Sequence, residues 1–208
     1  MNDTSQFGEG LVIASFFKAA PTRQRTFVDV GAFGQFLSNT YPLLEQGWNG
    51  IFIEANPDRV EAMKIELQGK GGVIMSFGAA DKVCAMEYHL HAEPTHNSFL
   101  ADWYPVDATG KSIIVPVRPL ATLLEMANVP LDFELLSIDT EGMDELIMRC
   151  LFETSRYRPQ LIITEGQSYK DHAALFGAAG YQFICKTSAG NEYGNLFYKY
   201  TTNEKAAT

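Results

Sequence analysis

The sequence predicts an α/β fold: a mostly parallel, seven-stranded, doubly wound sheet with helices on both faces and an antiparallel hairpin at its C-terminal end. Three observations predict it. Short apolar runs end repeatedly on glycine or an acid, as strands do when their carboxyl ends open on a crevice. Segments of helical period alternate with those runs. The last two runs, Tyr181 to Lys186 and Asn195 to Tyr200, are separated by Ser188-Ala189-Gly190-Asn191, which reads as a hairpin.

Taken in order, residues 1–25 form a helical extension built on Leu11-Val12-Ile13-Ala14-Ser15-Phe16-Phe17, an amphipathic helix packed on the domain. The first strand is Phe27, Val28 and Val30, rich in β-branched and aromatic residues and stopped by Gly31 and Gly34, which let the backbone turn and approach a ligand. Pro42 suits the first turn of a helix but not its interior, so helix starts near Asn39 or Thr40 and Gln35 to Asn39 is a polar loop facing the ligand corner. Gly50 to Ile53 is the second strand, ending on Glu54. Asn56 caps and Pro57 opens the next helix, whose Val60, Met63 and Leu67 share a face before Gly69. Val73 to Phe77 is the third strand, leading into Gly78-Ala79-Ala80-Asp81.

The middle is less regular. Met86 to His91 alternates weakly, Ile113 to Val117 reads as an edge strand because of Pro116, and Pro94 to Gly110 is a long functional or mobile loop. Helix follows over Leu120 to Ala127. Leu135 to Ile138 is a central strand stopping on Asp139, and Met143, Leu146, Ile147, Cys150 and Leu151 mark the buried face of the helix after it. Leu161 to Thr164 ends on Glu165, and a helix over His172 to Ala179 closes with Gly180 before the hairpin. A hairpin closing a mostly parallel sheet is the pattern of class I methyltransferases rather than of dehydrogenases.

Bulk properties narrow the function. A chain of 208 residues suits one domain over residues 1–208. A net charge of -9 without basic clusters argues against nucleic acid, where cations must replace counterions, and favours a small-molecule or neutral to basic partner. Three cysteines in apolar stretches, Cys84, Cys150 and Cys185, fit reduced core thiols and a cytoplasmic location. The N-terminus lacks the basic region of a signal peptide and the length of a membrane span, so no membrane partner is expected.

The first glycine turn, the acid Glu54 after the second strand and Ala80-Asp81 after the third together fit S-adenosylmethionine. The glycines would admit its methionine end, Asp29 take its amino group, Glu54 bind the ribose and Asp81 accept from the adenine amine. A nicotinamide dinucleotide asks instead for a middle glycine against its pyrophosphate, and here the run is Gly31-Ala32-Phe33-Gly34 with Asp29 repelling a diphosphate. Asp139-Thr140-Glu141-Gly142-x-Asp144 follows a central strand. Acids in a first helical turn are stabilised by the helix dipole alone, by about 0.3 to 1 kcal/mol each, so Glu141 and Asp144 also have a purely structural reading. Asp139 and Glu165 end neighbouring strands; one is a candidate general base, and the pair is a candidate site for a divalent cation. His89 and His91 read as a solvated strand rather than metal ligands, whereas His96 in the long loop is a candidate for touching substrate. Trp103 and Tyr104 are candidates for an acceptor pocket or for core.

Several segments together resemble one family, the FkbM-like methyltransferases: Phe27-Val28-Asp29-Val30-Gly31-Ala32, Ser38-Asn39-Thr40 with Gly47-Trp48-x-Gly50, Ile53-Glu54-Ala55-Asn56-Pro57, Leu136-Ser137-Ile138-Asp139-Thr140-Glu141-Gly142, and Pro159-x-Leu161-Ile162-Ile163-Thr164-Glu165. Ser5-Gln6-Phe7-Gly8 looks like the lead-in of one branch. The resemblance implies a Rossmann-like fold, S-adenosylmethionine as donor and O-methylation of a hydroxyl on a sugar or natural product, with Asp29, Gly31, Glu54, Asp139 and Glu141 at functional positions. Asp144 departs from it, standing where the family has a longer glutamate, and residues 84–115 match poorly, which makes them the expected region of acceptor specificity.

The expected site is therefore Asp29, Gly31, Ala32, Gly34, Asn39, Glu54, Ala55, Ala80 and Asp81 for S-adenosylmethionine, with Asp139, Glu141, Glu165 and His96 for catalysis, and Asp139 and Glu165 for any metal. The expected partner is a small-molecule or glycan acceptor. The alternatives are a nicotinamide-dependent oxidoreductase or epimerase, and a non-catalytic binding domain on the same sheet.

Overall fold

The structure is a computed structural model that describes residues 4–165, 169–188 and 194–201. Its main sheet has seven strands: β1 (Thr26–Val30), β2 (Asn49–Glu54), β3 (Val73–Ser76), β7 (Leu135–Ile138), β8 (Leu161–Glu165), β9 (Tyr181–Thr187) and β10 (Asn195–Tyr200). Their order is β3-β2-β1-β7-β8-β10-β9. The pairs from β3 to β8 are parallel, and β10 is antiparallel to both its neighbours. Part of the connection between β9 and β10, where the hairpin turn is expected, lies outside the described residues.

Side chains alternate across this sheet, as strands require. Phe27, Phe52, Leu135, Ile163 and Phe197 point to the face covered by α1 (Glu9–Ala19), α2 (Tyr41–Glu45) and α3 (Pro57–Glu66). Val28, Val30, Ile53, Leu136 and Ile162 point to the other, covered by α4 (Leu120–Met126), α5 (Asp144–Thr154) and α6 (Tyr169–Ala178). Phe27 and Phe52 meet edge to face with centroids 5.5 Å apart, a geometry that contributes about 1 kcal/mol beyond the area it buries. Gly50 leaves the room these rings fill, since a Cβ there would lie 2.6 Å from the Phe27 ring.

Asn56 caps α3 by accepting from the Asp58 N–H at 3.0 Å, with Pro57 opening the first turn. The buried face of α5 agrees with the expected one at Ile147 and Leu151, and at Met143 just before it, but extends to Met148 and Phe152 in place of Leu146 and Cys150. Ile147, Met148, Leu151 and Phe152 are buried, while Leu146 is 39 % exposed and Cys150 only half-buried. Cys84 and Cys185 are also half-buried free thiols rather than core ones.

The largest departure lies between β3 and α4. After β3 the chain leaves the main sheet, and β4 (Gly78–Ala80), β5 (Cys84–His91) and β6 (Ala108–Pro119) build a second sheet of order β4-β6-β5. β6 is its middle strand, not an edge. Pro116 is tolerated because β4 pairs only from Val117 onward, leaving Pro116 a partner on the β5 side alone. Tyr88, Val115 and Val117 close a small core under this sheet. His91, expected to be solvated, is buried there.

Two buried acids tie the N-terminal extension down. The Glu9 carboxylate accepts from the Phe7 N–H at 2.8 Å and the Asn195 amide at 3.0 Å, and also from the Thr187 hydroxyl. Glu134 accepts from three backbone N–H groups, of Arg23, Gln24 and Thr26, at 2.7 to 2.9 Å. Among the described residues no helix is long and apolar enough to cross a membrane.

Candidate active site

A cavity of about 430 Å³ lies over the carboxyl ends of β1, β2, β7 and β8, roofed by the second sheet and its loops. It is within the size range of small-ligand sites. Asp29, Gly31, Asn39, Glu54, Ala55, Asp139, Glu141, Glu165 and His96 all line it. Ala32, Gly34, Ala80 and Asp81 do not. Ala32 packs into the core on the α1–α3 face, and Gly34 faces the Arg59 and Glu66 side chains. Ala80 is buried and Asp81 exposed, because β4 turns into the second sheet; Phe77, Gly78 and Ala79 stand at the cavity in their place.

At one end, Asp29 projects from β1 and its Oδ2 accepts from the Thr40 hydroxyl at 2.6 Å. Burial pushes Asp29 up to about 6, against the pull of hydrogen bonds from Thr40 and Ser137. Glu54, at the end of β2, accepts from the Asn56 N–H at 2.6 Å; burial pushes it up to about 7, against that bond and the charge of Arg59. Gly31 (φ +79) carries the chain between these acids and the next loop. A Cβ on it would sit 1.8 Å from the Asp139 carbonyl oxygen. Ile53, Ala55, Phe77 and Ala79 supply an apolar wall beside Glu54.

At the other end, Asp139, Glu141 and Glu165 bring carboxylate oxygens within 4.8 Å of one another. Burial and the neighbouring charges of Glu165 and Asp144 hold Asp139 well above the usual carboxylate range. Its Oδ1 is buried without a hydrogen-bond partner among the described residues. Glu141 sits in the left-handed region (φ +52), followed by Gly142 (φ +102), so the loop doubles back and projects Glu141 into the cavity. Burial and Asp139 push Glu141 up to about 8.

Asp144 has the structural role. It accepts from the Thr140 N–H at 2.9 Å and the Thr140 hydroxyl at 2.5 Å, then from the Thr164 hydroxyl at 2.9 Å and the Glu165 N–H at 3.2 Å, clamping the loop after β7 to the end of β8.

The insert supplies the remaining wall through Tyr88, Pro94, Thr95, His96, Asn97 and Tyr104. Trp103 stays outside the cavity but supports it, its indole N–H donating to Glu141. Sequence reasoning missed four contributors. Arg59 lies over the Phe33 ring at 4.6 Å and pairs with Glu66; its place on the first turn of α3, next to the strand-end acid, is a usable signal. Gln6 and Phe7 line the cavity from the N-terminal segment, where Ser5-Gln6-Phe7-Gly8 reads as a lead-in without a role in the site, and Asp107, which bonds His96, has no local signal.

The family model described as methyltransferase FkbM domain matches residues 29–184. Among solved structures, the chain is similar to a candidate tRNA (m1A22) methyltransferase of Streptococcus pneumoniae, with a TM-score of 0.52 and 15% identity over 95% of this chain and 71% of that one. A candidate RNA methyltransferase of Pyrococcus horikoshii gives 0.51 and 9% over 97% and 88%. Precorrin-6y C5,15-methyltransferase of Geobacter metallireducens gives 0.50 and 11% over 93% and 86%. At these identities the likeness is one of fold. No curated protein sequence matches the chain.

Proposed function

The chain belongs to the methyltransferase FkbM domain family, whose members depend on S-adenosylmethionine, and on that premise we propose that it methylates a hydroxyl of a small molecule, natural product or sugar. The observation that carries this reading is the make-up of the cavity. Its donor end pairs an apolar wall with two buried acids, and its far end pairs three acids with the polar side chains of Thr95, His96 and Asn97. Five carboxyls around one cavity suit a cationic donor and a polyhydroxylated acceptor, and repel a phosphate backbone.

The residues fit the donor. Asp29 and Glu54 are buried carboxyls raised by desolvation, and a positively charged ligand beside them restores their ionised form. Glu54 would accept from the ribose hydroxyls, Asp29 and Asn39 would hold the amino-acid end, and Ala55, Phe77 and Ala79 would flank the base. When bound, S-adenosylmethionine supplies an electrophilic methyl carbon on a positive sulfur. The protein's part is to align an acceptor oxygen with that carbon and exclude water, and such positioning is worth several kcal/mol of barrier.

Calorimetric titration with S-adenosylhomocysteine, with reduced nicotinamide dinucleotides in parallel, tests the donor. Binding of the first alone supports the reading; binding of a nicotinamide alone makes the protein an oxidoreductase or epimerase, and binding of neither makes it a non-catalytic domain. Transfer of labelled methyl to a panel of glycosides and polyols then tests the acceptor class.

A second reading adds a divalent cation held by Asp139, Glu141 and Glu165. The donor set is all oxygen, as magnesium, manganese and calcium prefer, and the unpartnered Asp139 Oδ1 is a fitting ligand atom. The cation would acidify the acceptor hydroxyl. Methyl transfer lost on chelation and restored by magnesium supports it; transfer indifferent to chelation removes it.

A further inference from the structure

His96 stands on the cavity wall, its ring held by two neighbours of the insert. Its Nδ1 lies 2.9 Å from Asp107 Oδ2. Its Nε2 has no hydrogen-bond partner among the described residues, and its ring lies flat on Tyr104, with centroids 4.0 Å apart and planes 7° from parallel. Asp107 is itself held, accepting from the Glu93 N–H at 3.2 Å. The bonds from His96 and Glu93 outweigh the effect of burial and keep its carboxyl below the usual range, so it is an anion.

An anion on Nδ1 selects the tautomer with the proton there and leaves Nε2 a lone pair, while the Tyr104 stack fixes the plane of the ring. This arrangement matches the base-and-orienter pair of acid–base enzymes.

We propose that His96 Nε2 takes the proton from the acceptor hydroxyl, with Asp107 as its positioning residue. The inference rests on the methyl-transfer reading above. As the acceptor oxygen bonds the methyl carbon, the carbon–sulfur bond breaks and its electron pair stays on sulfur, leaving a neutral thioether. The hydroxyl proton passes to Nε2, and the imidazolium formed is balanced by Asp107 until it returns the proton to water.

Two measurements test it. Nitrogen NMR of the imidazoles needs no acceptor: His96 is expected as the Nδ1–H tautomer in the wild type and as a mixture in Asp107→Asn. An Nε2–H tautomer in the wild type, or one unchanged by Asp107→Asn, overturns the pairing. Transfer of labelled methyl from S-adenosylmethionine to the glycoside and polyol panel is expected to fall about 100-fold or more in His96→Ala, with S-adenosylhomocysteine affinity kept and activity partly restored by added imidazole. Wild-type transfer with His96→Ala equally active, or a loss that imidazole does not relieve while the donor still binds, overturns the inference alone. No transfer by the wild type overturns the methyl-transfer reading and the inference with it.

Discussion

The Trp103 indole N–H donates to Glu141 Oε2 at 2.6 Å, joining the insert to the acidic end of the cavity. Among the described residues nothing nearer in sequence bonds that carboxyl, and the Ser98 hydroxyl donates to the Glu141 carbonyl at 2.7 Å from the same insert. Gly142 lets the indole come this close, because a Cβ there would lie 2.7 Å from the Trp103 ring. The insert therefore sets the conformation of a residue on the main fold.

A double-mutant cycle of Trp103→Phe and Glu141→Gln measures this link. The coupling is expected at roughly 1.5 to 3 kcal/mol in urea unfolding where Glu141 is ionised, above about pH 8, and nearer 1 kcal/mol where it is neutral. Trp103→Phe alone removes a bond that favours the ionised form, so the Glu141 midpoint should climb further, a shift readable by carboxyl carbon NMR.

Glu54 should weigh on binding and on stability in opposite senses. Glu54→Ala is expected to weaken S-adenosylhomocysteine by roughly 1.5 to 3 kcal/mol, the range for hydrogen bonds to a charged group; unchanged affinity in calorimetry would remove Glu54 from the ribose site. Its folded pKa of about 7 exceeds the ordinary 4.5, so the native state binds the proton more tightly. The stability this contributes is full below pH 4.5 and is lost as pH rises through about 7. At about 1.4 kcal/mol per unit the loss is roughly 3 kcal/mol. Without ligand, Glu54→Gln should show a flatter melting temperature between about pH 5 and pH 8 than the wild type.

Gly31→Ala should be destabilising for two independent reasons. The left-handed conformation at φ +79 costs a side chain roughly 1 to 2 kcal/mol, and the added carbon collides with the Asp139 carbonyl. The expected loss in urea unfolding exceeds 2 kcal/mol, above the conformational term by itself. A loss near 1 kcal/mol would mean that the loop after β7 yields freely.

Asp144→Ala should cost roughly 3 kcal/mol, since it strands the Thr140 and Glu165 N–H groups and two hydroxyls at the cavity floor. Glutamate adds a methylene to a side chain that is buried and makes four bonds at its present length, so Asp144→Glu should also lower the melting temperature. Retention of full stability by Asp144→Glu would contradict the clamp.

Much of the main sheet was legible in the sequence because its signals are local. Strand and helix periods, Pro57 after its capping Asn56, the glycines after β1 and the acids at strand ends are each readable within a few residues. That is why Asp29, Glu54, Asp139, Glu141 and Glu165 could all be named before their meeting in one cavity was known. Only the tertiary structure decided the rest. The second sheet carried Ala80 and Asp81 away from the cavity, and it placed Asp107 against His96 across eleven residues and Trp103 against Glu141 across thirty-eight. Glu9 and Glu134 carry no sequence signal of their buried roles, which depend on partners brought by β9, β10 and the start of β1. The physical reason is the same throughout. Backbone pattern is set by each residue's own conformational preferences, whereas the partner of a buried polar group is set by whichever distant segment the packed core leaves beside it.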